Sequence, residues 1–212
     1  MWTALILMAG HSKRFGGDLP KQYHLLKGRP VYLYTLEALQ RSQLFNHIIL
    51  VVSRYYKGIL AHEGVEIIEG GKTRRESSYR GLLACPPSTE YVLIHDAVRP
   101  FVSQRILEDN VEAALKYGAV DTCVESPDTL VKREGEFLLE IPPRELYLRG
   151  QTPQTFAYKI IRKAHEEAPF FTEHVDDCRL VLESGVRPYI VRGEERNFKI
   201  TTLQDLQRAE NL

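Results

Sequence analysis

Trp2-Thr3-Ala4-Leu5-Ile6-Leu7-Met8 runs straight into Ala9-Gly10-His11-Ser12-Lys13-Arg14-Phe15-Gly16-Gly17, with Pro20-Lys21-Gln22 close behind. A short, continuously apolar run of this kind has the composition of a strand covered on both faces. Glycines at its end let backbone N–H groups approach phosphates closely, and the long cations beside them suit a polyanion. The combination reads as a nucleoside triphosphate site. The same residues would equally make an ordinary strand-to-helix turn with solvated Lys and Arg, and the stretch alone leaves both open. The Walker pattern needs its Gly-Lys-Ser/Thr at a fixed distance and the dinucleotide fingerprint needs three spaced glycines. Neither fits, so the loop points away from ATPases and dehydrogenases.

Further apolar runs alternate with helical stretches along the chain: His47 to Ser53, Val65 to Glu69, Tyr91 to His95, Ala119 to Glu125 and Arg187 to Val191. Several are rich in Val and Ile. This alternation predicts an α/β fold with a mostly parallel sheet flanked by helices. Helix ends are readable too. Pro30 stands where a first-turn proline is tolerated, Thr73 and Glu76 form a candidate capping box, Ser103 can cap a helix that closes near Gly118, and Thr202 can cap the last one.

At 212 residues, without repeats or low-complexity linkers, the chain is expected to form one domain spanning 1–212. Twenty-eight basic and 28 acidic residues cancel, so no global field attracts nucleic acid or an anionic membrane, and an anion site must be built locally. No apolar run is long enough to span a membrane and no signal segment is present, which predicts a soluble, cytoplasmic protein. Cys85, Cys123 and Cys178 are odd in number and widely spaced, as buried reduced thiols would be, and the seven histidines lack paired ligand spacing. No metal held by protein ligands is expected.

One segment breaks the βα rhythm. Asp128 to Arg133, the turn Glu134-Gly135, and Glu136 to Ile141 read as a β-hairpin, an arm around residues 126–148. Leu130, Phe137 and Leu139 give it apolar surface that two strands cannot bury alone. It either folds back on its own domain or embraces a second subunit.

Four constellations could carry chemistry. His95-Asp96-Ala97-Val98-Arg99-Pro100 follows an apolar run and places Asp96 and Arg99 at a strand's carboxyl end, where open α/β sheets bind ligands; a structural ion pair is the alternative. Gly70-Gly71 precedes a helix N-terminus whose free N–H groups could meet a phosphate, base or ribose, with Ser77 supplying a hydroxyl. Asn197-Phe198-Lys199-Ile200-Thr201-Thr202 puts Lys199 in a short strand. Gly150-Gln151-Thr152-Pro153-Gln154-Thr155-Phe156 reads as a polar turn or a loop and helix cap, with Arg144 upstream.

In this order these pieces resemble the 2-C-methyl-D-erythritol 4-phosphate and ribitol-5-phosphate cytidylyltransferase family over nearly the whole chain. The resemblance rests on Ala9-Gly10 with Arg14 and Pro20-Lys21-Gln22, Gly70-Gly71 with Arg74 and Ser77, the His95-to-Pro100 motif, Asp128-Thr129, Thr152-Pro153-Gln154 and Lys199-Ile200-Thr201. It implies a Rossmann-like sheet with a protruding β-hairpin dimerisation arm, hence a homodimer. By motif position, Ala9, Gly10, Ser12, Arg14, Lys21, Gly71, Ser77, Asp96 and Lys199 would hold CTP. Asp96, Arg99, Thr129, Arg144 and Thr152 would face the acceptor, some from the neighbouring subunit. Arg14, Lys21, Lys199 and Arg144 would act in catalysis.

The partners so implied are CTP and a polyol phosphate, with no nucleic acid and no membrane. Met8, Ser12 and Lys72 depart from the family pattern: Ser12 is a mild change, since a hydroxyl can itself meet phosphate, while Met8 and Lys72 bear on how base or ribose is seated. Two polyanions must meet, so the expected route is in-line attack of the acceptor phosphate on the α-phosphate, with Mg²⁺ held mainly by the CTP phosphates and no protein nucleophile. The expected acceptor is 2-C-methyl-D-erythritol 4-phosphate. The alternatives are ribitol 5-phosphate and a non-catalytic regulatory relative that binds nucleotide.

Overall fold

The computed structural model describes residues 1–10, 15, 19–169 and 176–212. Its sheet takes strands β1 (Trp2–Met8), β4 (His47–Val52), β5 (Glu66–Glu69), β6 (Tyr91–Asp96), β7 (Ala119–Glu125), β10 (Leu148–Ala157) and β11 (Tyr189–Arg192) in the order β11-β7-β10-β6-β1-β4-β5. Two residue pairs, β2 (Leu25–Leu26) and β3 (Arg29–Pro30), form a small separate ladder, as do β8 (Lys132–Glu134) and β9 (Phe137–Glu140). The helices are α1 (Val31–Ser42), α2 (Arg54–Lys57), α3 (Arg74–Ala84), α4 (Gln104–Tyr117), α5 (Tyr158–Glu167), α6 (Asp177–Glu183) and α7 (Leu203–Glu210).

The apolar runs are continuous because the sheet is buried on both sides. Ala4, Ile6 and Met8 of β1 pack with Leu36 and Leu39 of α1 and Leu107 of α4, while Leu5 and Leu7 pack with Leu82 of α3 and Ile161 of α5. Burying one such Leu or Ile contributes roughly 1.5 to 3 kcal/mol. From β1 the chain steps outward to β4 and β5, then returns past β1 to β6. The order thus reverses between β1 and β6, and the crevice beyond their carboxyl ends is where such sheets take ligands.

The expected caps are present, with one difference. Ser103 accepts from Ile106 N, α4 closes on Gly118 at φ 75°, and Thr202 and Asp205 make a full capping box. Thr73 accepts from Glu76 N, but the Glu76 carboxylate reaches back to Lys72 N instead of Thr73 N.

Two expectations fail. Residues 150–156 are neither turn nor cap: they belong to ten-residue β10, which runs antiparallel between β6 and β7 in the middle of the sheet. Pro153 is tolerated there because it falls in the register shift between Gly150 and Gln154, where no ladder N–H is required of it. The strand looks polar because its buried side chains are bonded: Thr155 Oγ1 donates to Asn110 Oδ1 (3.0 Å) and Thr122 Oγ1 donates to Pro153 O (2.6 Å). The second miss is Lys199, whose segment is irregular and touches the sheet's end through Ile200 N to Val98 O at 2.9 Å.

The hairpin exists, shorter than expected, turning at Gly135 with φ 57°. Among the described residues Leu130 is half-buried, but the other apolar side chains of the hairpin are left largely uncovered. Phe137 is 81% exposed and Leu146, in the turn that follows, 78%. All three cysteines are free and buried, and burial pushes the Cys85 and Cys123 thiols up to about 12. No described helix is long and apolar enough to cross a membrane.

Candidate active site

A cleft of about 410 Å³ opens beyond β1 and β6. Of the residues expected at the site, Ala9, Gly10, Lys21, Gly71, Ser77, Asp96 and Lys199 line it, coming from five separate stretches of sequence. Ser12 and Arg14 lie outside the described residues. Two loops form facing walls, and Gly70 lets them meet: a Cβ there would stand 2.6 Å from Ala9 Cβ and 2.9 Å from Ser77 Oγ. Ser77 Oγ accepts from Gly71 N at 3.0 Å and donates to Thr73 O at 2.9 Å, so the second glycine loop is held by the helix it introduces.

Asp96 is the electrostatic centre. Lys199 Nζ donates to Asp96 Oδ2 at 2.7 Å, Arg74 Nε stands 3.5 Å from Oδ1, and Arg99 Nε stands 4.0 Å from Oδ2. Burial alone would push the carboxyl up, but Lys199, Arg74 and Arg99 outweigh it and hold Asp96 well below the usual carboxylate range. Arg74 is gripped from behind as well, donating to Asp177 Oδ2 at 2.6 Å. Asp177 in turn accepts from Ser78 Oγ (2.7 Å) and His165 Nε2 (2.9 Å). Lys199, Arg74 and Arg99 converge on Asp96 at a partly water-excluded spot, and Lys21 lines the same cleft. Clustered cations of this kind suit a polyanion.

Arg99 and Thr152, expected to face the acceptor, are not in the cleft wall. Both are buried behind Asp96, where they bond to the segments that present it, although Arg99 Nε is buried without a hydrogen-bond partner. Arg99 Nη1 donates to Asn197 O at 2.8 Å, tying the Lys199 segment to β6. Thr152 Oγ1 accepts from Asp96 N at 3.1 Å and pairs with His95 Nδ1 at 2.8 Å. His95 Nε2 meets Arg99 O at 3.2 Å; a carbonyl only accepts, so the ring proton is on Nε2 and the Thr152 hydroxyl donates to Nδ1. Burial holds the His95 pKa down to about 4, which keeps this tautomer neutral at ordinary pH.

Thr129 and Arg144 are farther off. Both are exposed on the arm, and Arg144 lines a separate cleft of about 450 Å³ with Pro127, Glu145 and Tyr147. Arg74 and Gln22, to which no role attaches from sequence, also line the main cleft. A cation in the first turn of α3, against the helix dipole, was the available signal for Arg74.

Residues 2–212 match the family model of IspD, 2-C-methyl-D-erythritol 4-phosphate cytidylyltransferase. The chain belongs to this family. Among similar proteins of that name, one from Clostridium botulinum (strain Langeland / NCTC 10281 / Type F) is 36% identical over 220 residues, covering 99% of this chain and 96% of the relative. Another, from Geotalea uraniireducens (strain Rf4), is 38% identical over 221 residues, covering 98% and 94%. Among solved structures, 4-diphosphocytidyl-2C-methyl-D-erythritol synthase from Anaerococcus prevotii superposes with a TM-score of 0.89 at 31% identity over 99% of this chain and 94% of that one. The cytidylyltransferase from Thermus thermophilus gives 0.82 at 34% identity, covering 98% and 96%. Family membership accounts for the mostly parallel sheet, the hairpin and the order of the motifs together.

Beside the site, Gln154 Nε2 donates to Asp121 Oδ1 (3.0 Å) and to Asp176 Oδ2 (2.8 Å). Burial pushes the Asp121 carboxyl up to about 6, the Gln154 donor opposes this, and the Asp176 charge adds to it. An acid whose folded pKa lies above its unfolded value of 3.8 keeps its proton in the folded state first. Stability therefore falls as pH rises from about 4 to about 6, and the penalty is complete above that window. Asp121→Asn is expected to raise the midpoint of thermal unfolding at pH 8 by on the order of 5 °C and to change it little at pH 4. Melting curves of the two proteins at both pH values check this; a gain that is equal at both would refute it.

Proposed function

We propose that this protein transfers CMP from CTP to 2-C-methyl-D-erythritol 4-phosphate with release of pyrophosphate, a step of isoprenoid precursor synthesis, in the cytoplasm. The observation that carries the reading is the gathering of Arg74 and Lys199 on buried Asp96, with Lys21 lining the same cleft, at the sheet's topological switch point. An acceptor phosphate oxygen attacks the α-phosphorus of CTP, the new P–O bond forms as the bond to the β-phosphate's bridging oxygen breaks, and pyrophosphate leaves. A phosphomonoester, with a second pKa near 6, is already ionised at neutral pH, so the reaction needs no protein base. It needs two anions brought together, and that is what clustered, preorganised cations supply.

The glycine loops hold the nucleotide through Ala9, Gly10, Gly71 and Ser77, with Ser12 and Arg14 of the first loop contributing by motif. Lys21 and Lys199 offset the charge that develops at the α-phosphate and on the departing pyrophosphate. Arg99 and Thr152 act by holding Asp96 and the Lys199 segment in place. For Mg²⁺ the residues fit a loosely held ion. Asp96 is the carboxylate of the cleft wall, and among the described residues no cluster of His, Cys, Asp and Glu could hold a metal by itself. Asp96 would share the ion with triphosphate oxygens, and when bound it supplies further neutralisation of the triphosphate.

Thr129 and Arg144 serve the cleft of a second subunit, to which the arm delivers them in a homodimer. The support is their exposure on an arm whose apolar side chains are left largely uncovered. Phe137→Ser with Leu146→Ser is expected to weaken dimerisation by roughly tenfold or more, since each side chain forfeits about 1.5 to 3 kcal/mol of burial. Turnover should fall in parallel. Sedimentation coupled to an activity assay decides it, and a fully active monomer would overturn the arm's role. The reaction itself is tested by pyrophosphate release from CTP with each polyol phosphate in turn; release without any acceptor requirement, or none with either, would remove the assignment.

A further inference from the structure

Neither Ala9 nor Gly10 carries a polar side chain that could fix the shape of the nucleotide loop there. Gln22 does this from outside. It is 3% exposed, and its Nε2 donates to Met8 O at 2.7 Å and to Gly10 O at 3.2 Å, the two carbonyls that bracket Ala9. A primary amide carries two N–H donors, so both carbonyls can be held at once. Because a trans peptide is planar, a carbonyl and the following N–H point in opposite directions. Holding Met8 O toward Gln22 therefore turns the Ala9 N–H away from Gln22.

The other end of this connection is rigid. Gln22 lies in a single 3₁₀ turn, Lys21–Tyr23, entered from Pro20 and closed by Tyr23 N to Pro20 O at 2.9 Å. Tyr23 is anchored in the core, stacked on Tyr56 with ring centroids 3.7 Å apart and set edge-on to Tyr32 at 5.7 Å. The same turn carries Lys21, which lines the cleft beside Ala9 and Gly10. One amide thus sets the distance between a catalytic lysine and the loop that holds the nucleotide.

We propose that Gln22 is a positioning residue for nucleotide binding, locking the Met8-to-Gly10 backbone in the conformation that receives the triphosphate and fixing it relative to Lys21. The proposal rests on the reading of this cleft as the CTP site. The decisive property is the amide's ability to donate, so two substitutions of nearly equal size separate it from simple packing. Gln22→Met removes both donors, and Gln22→Glu replaces them with a carboxylate that repels both carbonyls.

The test is CTP binding by calorimetry, together with steady-state kinetics and thermal melting, on the full chain. Losing two ordinary hydrogen bonds, and then adding repulsion, is expected to raise the Kd and KM for CTP by about ten- to a hundredfold, more for Gln22→Glu than for Gln22→Met. The acceptor KM measured at saturating CTP should stay within about twofold, a split that general loosening of the fold would not give. CTP binding within twofold of the parent in both folded variants would overturn the proposal alone. A rise in CTP and acceptor KM together, in step with a lowered melting temperature, would also overturn it by reducing Gln22 to a packing residue. Absence of CTP binding by the parent would instead overturn the reading of the cleft, and the proposal with it.

Discussion

Lys199→Ala will lower the rate of the chemical step by about a hundredfold to a thousandfold, and Lys21→Ala by a similar factor. Removing one preorganised charge contact to a developing anion costs roughly 2.7 to 4 kcal/mol of transition-state stabilisation, because the site cannot reorganise to replace it. Lys199 is placed for that task by the fold and not by its own flexibility. Its Nζ is 2.7 Å from Asp96 Oδ2, and its segment is pinned by Arg99 Nη1 to Asn197 O and by Ile200 N to Val98 O. Removing it leaves Asp96 paired with Arg74 and Arg99, so the fold should survive and the loss should appear in turnover. Single-turnover kinetics at saturating CTP, alongside melting curves, separate the two. Turnover within a few-fold of the parent in both variants would assign these lysines to the solvated surface.

Which parts of this protein were legible beforehand follows from where its polar groups went. The parallel strands announce themselves because both faces of the sheet are covered, so β1 is apolar at every position from Ala4 to Met8. β10 hides because its buried hydroxyls and the Gln154 amide nitrogen bond to groups elsewhere in the fold: Gln154 with Asp121 and Asp176, Thr155 with Asn110, and Thr152 with His95 and Asp96 N. A one-dimensional pattern scores such residues as loop formers, since their partners lie far away along the chain.

The same blindness governs the site. Motif positions placed Asp96, Lys199 and the two glycine loops in one cleft, but not the direction in which Arg99 and Thr152 point, because direction is set by partners such as Asn197 O. Gln22 belongs to a motif whose sequence gives it no role. A glutamine after a turn is usually exposed, and only the two short contacts to the loop carbonyls reveal that this one is not.

The acceptor is where the largest ratio is expected. 2-C-methyl-D-erythritol 4-phosphate and ribitol 5-phosphate both present a terminal phosphate, so the phosphate contacts proposed for Arg144 and Thr129 of the arm would contribute equally to both and would not separate them. Discrimination must come from the hydroxyl pattern and the methyl branch, read near Asp96. A site that hydrogen-bonds a substrate hydroxyl rejects an analogue lacking it by as much as about 10⁴ to 10⁵, whereas one methyl group is worth only about 10- to 200-fold. Asp96 suits the hydroxyl role, since the surrounding cations keep it an ionised acceptor throughout the physiological range.

The expected result is a kcat/KM ratio of at least about 10² in favour of methylerythritol phosphate. Asp96→Asn should narrow that ratio while raising the acceptor KM more than the CTP KM, because an amide presents one acceptor oxygen where the carboxylate presented two. Steady-state pyrophosphate release with the two acceptors, in the parent and in Asp96→Asn, measures both quantities. A higher kcat/KM for ribitol 5-phosphate would move the acceptor assignment to that compound and leave CMP transfer intact. A ratio unchanged by Asp96→Asn would take hydroxyl recognition away from Asp96 and place it elsewhere along the cleft.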